Sequence, residues 1–498
     1  MIDWRLSAAS IRRLQAEQTD GTLSARQLVD LYLKRITAFD QSAPAINAIA
    51  TINERATAEA DALDAERRDG VLRGALHGIP VLIKDNIETA GLQTTAGCTL
   101  LAGWKPEIDA AVVRRLRQAG AIILAKTNMH EFGYGIRGFG SYFGQVRNPY
   151  DPECYPGGSS SGSAAGLAAG FGAVALGTDT SGSIGVPSAY NGLVGLRVTQ
   201  GLISCEGIVP LSSTQDVVGP IARTVEDAAT VLDVLTGTDV GGVQAPTFPL
   251  AMTYTAALGT AELRNVRIGR LTDLFRIDAG DDEVAGIVER RLDLIETAGT
   301  TIVDVEISAL SDLLKDRLCG SLVLVQDFKF DLDEYLARRP TSPLRSFQAL
   351  LASGVCHAAV IDNLRLSMAT VSRVTQEYYA HVAKRRMLRE VIVKAMDQLG
   401  LDALVFPTIR QPAGRIGGPQ NGANSQLSAN SGLPALTLPS GYADGGVPVG
   451  MDILGRPWRE SRLLAIGHAI EQCTPPPSPP ALTFRDAPID ASTSAGRN

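Results

Sequence analysis

Apolar positions recur at helical spacing through residues 7–17, 23–39 and 53–69, with charged positions between them, so the chain opens with three amphipathic helices. Ser24 with Gln27 three positions on has the form of a capping box for the second of these. The period then changes. Val81-Leu82-Ile83 is a continuous apolar run that reads as a buried strand, closed by Lys84. Residues 109–118 read as a helix and 121–125 as a strand. Further on, 266–271, 301–305 and 401–408 read as strands, with a helix over 282–298. Residues 459–472 read as a last helix. Thr224 with Asp227 marks a helix start running to Leu235. Residues 307–390 are mostly helical and carry no motif. The chain from Thr474 on is proline-rich and then polar, which predicts a disordered tail.

One stretch breaks both periods. Residues 155–187 read YPGGSSSGSAAGLAAGFGAVALGTDTSGSIGVP, an order of loop, small-residue helix, strand and second loop. Residues this small let backbones approach closely and let peptide N–H groups point into a site. A flexible Gly/Ser linker would not carry the apolar run of residues 171–176 between its halves, nor Asp179 between two threonines. A P-loop would end in Gly-Lys-Ser/Thr, and the GxGxxG order is absent from residues 155–187.

The stretch resembles the signature of the amidase signature family of serine hydrolases. Ser159 and Ser183 fall on its two catalytic serines, at the separation the family uses, and Gly78-Ile79-Pro80-Val81-Leu82-Ile83-Lys84-Asp85-Asn86 matches the segment that carries its catalytic lysine. Two positions depart from the pattern: Ser181 replaces a glycine, and Gly185 replaces an arginine with a structural role. The resemblance is tight at residues 76–100 and 156–227, loose at 240–390, and covers nearly the whole chain. It implies an α/β fold: one large domain with a central mixed, twisted β-sheet and helices on both faces. The division expected is a helical layer over 1–70, the core over 71–473 with a variable, substrate-selecting region at 240–390, and the tail at 474–498.

The chemistry implied is Ser–Ser–Lys. Ser183 attacks the carbonyl carbon and forms the acyl-enzyme, and Ser159 relays its proton to Lys84. Backbone N–H groups of Thr180, Ser181, Gly182 and Ser183 form the oxyanion hole, with Asp179 anchoring their loop. Met129, Tyr134 and Gly158 are expected against the substrate, and the peptide bond entering Ser159 is expected to be cis. Lys84 must be neutral to accept a proton, so its pKa must fall by roughly 3 units, about 4 kcal/mol, which burial supplies. Asp85 would oppose that fall, but alternation along the strand points it to the other face. His130 is expected to be a structural hydrogen-bonder rather than a base, and no GxSxG stands in the strand-turn-helix context of a nucleophile elbow.

The bonds cleaved would be amide, anilide or carbamate. The alternative is the amidase subunit of a tRNA-dependent amidotransferase, which hydrolyses glutamine inside a heteromer. A non-catalytic scaffold would have no use for Lys84, Ser159 and Ser183 together. The chain has 498 residues, 45% hydrophobic and 20% charged, as soluble globular proteins do, and its net charge of −7 speaks against nucleic acid or an anionic membrane as partner. Neither a signal-peptide core nor an apolar stretch long enough to span a bilayer is legible. Six scattered cysteines form no CxxC pair, so neither a disulfide framework nor a metal site is expected. The expectation is a cytoplasmic monomer or homodimer acting on a small molecule, with no cofactor and no metal.

Overall fold

The computed structural model describes residues 4–42, 45–236, 252–315, 320 and 322–482. Its centre is a mixed sheet of eleven strands: β1 (Ile49–Ile52), β2 (Pro80–Lys84), β3 (Ile122–Thr127), β4 (Val174–Asp179), β5 (Val194–Arg197), β6 (Val217–Ala222), β7 (Arg267–Leu271), β8 (Thr301–Val305), β9 (Ala403–Pro407), β10 (Ala435–Tyr442) and β11 (Pro448–Leu454). Their order across the sheet is β1-β3-β2-β4-β6-β5-β10-β11-β9-β7-β8. Strand β2 pairs in parallel with both β3 and β4. The carboxyl ends of these three strands therefore share one edge, the usual place for a site in an α/β sheet. Lys84 and Asp179 end β2 and β4 there.

Burial on both faces explains the continuous apolar runs. Every residue of β2, β3, β4, β9 and β11 is buried. The small-residue helix Ser161–Ala168 lies directly on β2 and β4. A Cβ at Gly162 would stand 2.2 Å from the Ala48 carbonyl, so only glycine permits this approach. The helix's serines bond the strand beneath: Ser160 Oγ donates to the Thr178 carbonyl at 3.1 Å, and Ser163 Oγ to that of Leu176 at 3.0 Å.

The amino-terminal helices run Ile11–Thr19, Ala25–Phe39 and Ala56–Arg68. The first starts later than expected because Ser10 caps it, behind a 3-10 turn over Trp4–Ala8. Ser24 and Gln27 form the capping box. Residues 1–70 are more than a helical layer, since β1 lies among them and forms the sheet's edge against β3. The tail also differs from expectation over 474–482. Ser478 accepts from the Tyr150 and Tyr442 hydroxyls at 2.9 and 3.0 Å, which fixes the proline run against the body; residues 483–498 lie outside the described residues.

The region without motifs forms an insert of short helices, Phe328–Ala337, Phe347–Ser353 and Ala358–Met368, followed by the long helix Gln376–Gln398. It has its own apolar core, which it shares with the loops after β2 and β3. Phe328 meets Phe132, Tyr134 and Phe347 edge-on there. Among the described residues no helix is long and apolar enough to cross a membrane.

Candidate active site

Lys84 is fully buried at the end of β2. Its Nζ lies 2.8 Å from Ser159 Oγ, 2.8 Å from Thr178 Oγ1 and 3.1 Å from the Thr178 carbonyl. A neutral amine has two N–H donors and one lone pair. The two oxygens of Thr178 accept the donors, which leaves the lone pair for the Ser159 hydroxyl. Burial pushes the lysine down to about 7, opposed only by the more distant charges of Asp179 and Asp216. Asp85 is turned away as expected. Its carboxylate accepts from the Thr95 backbone N–H at 3.0 Å and faces Lys126 at 3.5 Å.

The Gly158–Ser159 peptide bond is cis, as the resemblance implies. Ser183 lies on the adjoining loop, where its carbonyl accepts from the Ser160 N–H at 3.2 Å. Among the described residues no hydrogen bond joins the Ser159 and Ser183 hydroxyls. What the structure brings together directly is Lys84 with Ser159, and the Ser159 turn with the Ser183 loop.

Asp179 holds that loop. Its two carboxylate oxygens accept from the N–H groups of Gly182 and Ile184 at 2.8 and 2.7 Å. Gly182 therefore cannot serve the oxyanion hole as expected, because its N–H is already committed to Asp179. Thr180, Ser181 and Ser183 are the candidates left. Gly182 has φ +102, and a Cβ there would sit 2.0 Å from Ser425 Oγ, so the turn is closed to larger residues. Two further residues support the loop, and sequence reasoning gave neither a role. Arg197 donates to the Asp179 carboxylate at 2.8 Å and to its carbonyl at 2.7 Å. Asp216 accepts from the Thr180 hydroxyl at 2.6 Å and from the Leu211 and Ser212 N–H groups, and burial raises its carboxyl to about 7. A cation closing an apolar strand was the available signal for Arg197. Asp216 gave none.

The missing arginine at Gly185 has a physical counterpart. A Cβ there would meet Thr437 Oγ1 at 3.0 Å and Thr408 Cγ2 at 3.3 Å. Both threonines donate to the buried Asp452, at 2.6 and 2.7 Å, and burial raises that carboxyl to about 6. Neutral hydroxyls stand where a cation could have neutralised the acid.

A cavity of about 610 Å³ opens over Ser181 and Ser183. One wall is the loop Gly133, Tyr134, Gly135 and Ile136; the other is the insert together with the helical turn Leu322–Asp327 that leads into it, with Val323, Leu324, Gln326, Leu366, Glu377 and His381. Tyr134 lines the cavity. Met129 does not line the cavity, because it is fully buried in the insert's shared core. Gly158 does not either, because it lies behind the wall, where a Cβ would meet the Gly135 carbonyl at 3.0 Å. His130 is structural. Its Nδ1 accepts from the Arg137 and Gly138 N–H groups at 3.3 Å, and burial pushes it down to about 3.

The model of the Amidase family matches residues 27–464 of this chain. A curated relative from Symbiobacterium thermophilum, named for the glutamyl-tRNA(Gln) amidotransferase of which it is the A component, is 35% identical, with 94% of this chain and 97% of that protein covered. Among solved structures, the native peptide amidase of Stenotrophomonas maltophilia is 38% identical, with a TM-score of 0.88, and the match covers 97% and 99% of the two chains. The structure of the corresponding glutamyl-tRNA(Gln) amidotransferase component from Thermotoga maritima is 25% identical, with a TM-score of 0.74 and coverage of 97% and 98%.

Proposed function

The chain belongs to the Amidase family, as a hydrolase acting on carbon–nitrogen bonds, and from that premise we propose a stand-alone amidase whose acyl-enzyme forms on Ser183. The observation that carries this reading is the buried contact of Lys84 Nζ with Ser159 Oγ at 2.8 Å, with Thr178 occupying the amine's other contacts. Ser183 Oγ attacks the carbonyl carbon and passes its proton to Ser159 Oγ as the Ser159 proton passes to Lys84 Nζ. N–H groups at Thr180, Ser181 and Ser183 stabilise the oxyanion. The intermediate collapses, the C–N bond breaks, and the relay run backwards protonates the departing amine. Water then enters by the same route to release the acid and restore Ser183. Carbamates and anilides can follow the same path, and the protein works as a monomer or homodimer without a partner subunit.

The second reading is the amidotransferase component, favoured by the curated relative that is 35% identical along 94% of this chain. Two observations weigh against it. Of the two solved structures the peptide amidase is the more similar, 38% against 25% identity, although the curated amidotransferase component is itself 35% identical. The described walls of the cavity place the acid Glu377 there, a like charge for the α-carboxylate of glutamine. A substrate panel decides: chromogenic anilides, an amidated peptide, an aryl carbamate, and glutamine with and without charged tRNA and partner subunits. Turnover of an anilide or peptide amide by the isolated chain supports the first reading. Glutamine hydrolysis that appears only with partner and tRNA overturns it.

A further inference from the structure

Three residues far apart in sequence meet beside the cavity without a part in the chemistry. Cys98 precedes the turn Thr99–Leu101, Glu131 follows β3, and Cys356 stands just ahead of the insert helix Ala358–Met368. All three are buried, with 0%, 0% and 6% of their surfaces exposed. Their two sulfurs and a carboxylate oxygen lie within 4.8 Å of one another. A tetrahedral Zn²⁺ site with Zn–S of about 2.3 Å and Zn–O of about 2.1 Å places its ligand atoms roughly 3.5–3.8 Å apart, so closure needs movements of about an ångström or less.

The surroundings resemble an outer ligand shell. Glu131 accepts from the Ser141 hydroxyl at 2.5 Å and from the His357 backbone N–H at 2.7 Å. Both donors are neutral and hold the carboxylate toward the two sulfurs. Burial raises the Glu131 carboxyl, and both thiols stand within hydrogen-bond reach of it. One thiol would suffice for that, yet the cluster draws a cysteine from each side of the insert boundary. We propose that Cys98, Glu131 and Cys356 bind one thiophilic divalent cation of the Zn²⁺ type, which braces the insert against the loop next to Ser159. Binding forms two S–metal bonds and one O–metal bond and releases the two thiol protons to solvent. The fourth position goes to water on the side of Cys356, the least buried of the three.

The brace acts on position, not on bond-making. Residue 130 hydrogen-bonds Ser159 through its backbone, His130 N–H to the Ser159 carbonyl at 3.1 Å, and Phe132 N–H donates to the Ala96 carbonyl at 2.8 Å. Leu366, on the helix that Cys356 leads into, lines the cavity. Locking these together holds the cavity's two walls in register.

The test uses the full-length, reduced protein with Co²⁺ and then Zn²⁺ as probes. Expected are about one Co²⁺ per chain with a thiolate-to-cobalt charge-transfer band, displacement of that band by Zn²⁺, and a Zn²⁺-dependent rise in Tm. C98S and C356S should each abolish the band and the Tm response, with far-UV circular dichroism showing that they fold. E131Q, close in size, should weaken binding at least about tenfold, and it keeps the question answerable if a serine variant fails to fold. Less than about 0.1 Co²⁺ per reduced wild-type chain, or a band that survives in the double variant C98S/C356S, would overturn the proposal. So would a Cys98–Cys356 disulfide in protein isolated under reductant.

Discussion

Residues 155–187, on the serine side of the cavity, are buried almost throughout and bonded backbone to side chain at nearly every turn. The facing wall, from the insert, exposes Leu324 and Leu366, and the loop beyond them leaves Val371 and Val374 at 88% and 79% of full exposure. Crowding on the first wall leaves no freedom to change a side chain without moving the backbone that aims Ser159 and Ser183. On the second wall, helix-borne apolar residues can be exchanged at the cost of their own contacts only. Bond-breaking chemistry is thus expected to fail sharply on one side and substrate choice to shift gradually on the other.

The comparison is tested hardest at the proposed triad. Ser183→Ala should lower kcat by roughly 10³-fold or more, with Lys84→Ala and Ser159→Ala close behind, because groups that act as a unit lose nearly the whole effect one at a time. Melting temperatures of the two serine variants should stay near that of the wild type. A serine-directed phosphonate should modify Ser183, as peptide mass mapping would show. Near-normal turnover by Ser183→Ala would remove this wall from the chemistry.

Next in size comes Gly182→Ala. The new methyl must displace Ser425 Oγ and hold φ near +102, which favours glycine. Strain of about 1–3 kcal/mol in the nucleophile loop should lower kcat by roughly a hundredfold, since a shift of about an ångström suffices for that. An equal change in the Tm and kcat of a distant glycine variant, such as Gly445→Ala, where nothing lies within 4 Å and φ is not positive, would contradict a local cause.

How much of this could be read in advance depends on whether the signal is local. Lys84 stood out as a cation ending an apolar run, and Ser159 and Ser183 lay in a small-residue order that admits few folds. Asp179 was readable as an anchor because the N–H groups it holds are its near neighbours. Thr178, Arg197 and Asp216 were not, since each acts on a partner that the topology brings near. The edge strand β1 has four residues and no alternation, too little to register between two helices. The insert's wall of the cavity had no local signature, because a helix surface that lines a cavity and one that faces water follow the same period. Cys98, Glu131 and Cys356 could only meet in three dimensions.

The pH response should separate burial of Lys84 from its other contacts. With its pKa at about 7, kcat/KM should fall about tenfold per unit below that pH, as the amine takes a proton and loses its lone pair. Stability follows with a definite sign. Between about 7 and the ordinary lysine value of 10.5, the unfolded chain holds a proton that the folded chain has lost, so stability rises with pH through that window. Below 7 the cost of burial is complete. Lys84→Met should therefore be more stable than wild type at pH 6, with the gap closing toward pH 10, as urea unfolding across that range would show. A gap that is constant with pH would mean that the lysine is not neutralised by burial.

The smallest effect is expected on the insert. Leu366 is 48% exposed and reaches the cavity from a helix whose other face packs in the insert's core. Leu366→Ala removes three carbons from the wall, but half of that surface already meets water, so the lost contact with an apolar acyl group is about 1 kcal/mol. KM for a long-chain acyl anilide should rise roughly fivefold, while an acetyl anilide, too short to reach the helix, keeps its KM and both keep their kcat. The split between the two substrates is the readout, because a general loosening of the insert would raise KM for both. A fall in kcat with the acetyl substrate would show that the insert positions Ser183 as well as the substrate, and the contrast between the two walls would dissolve.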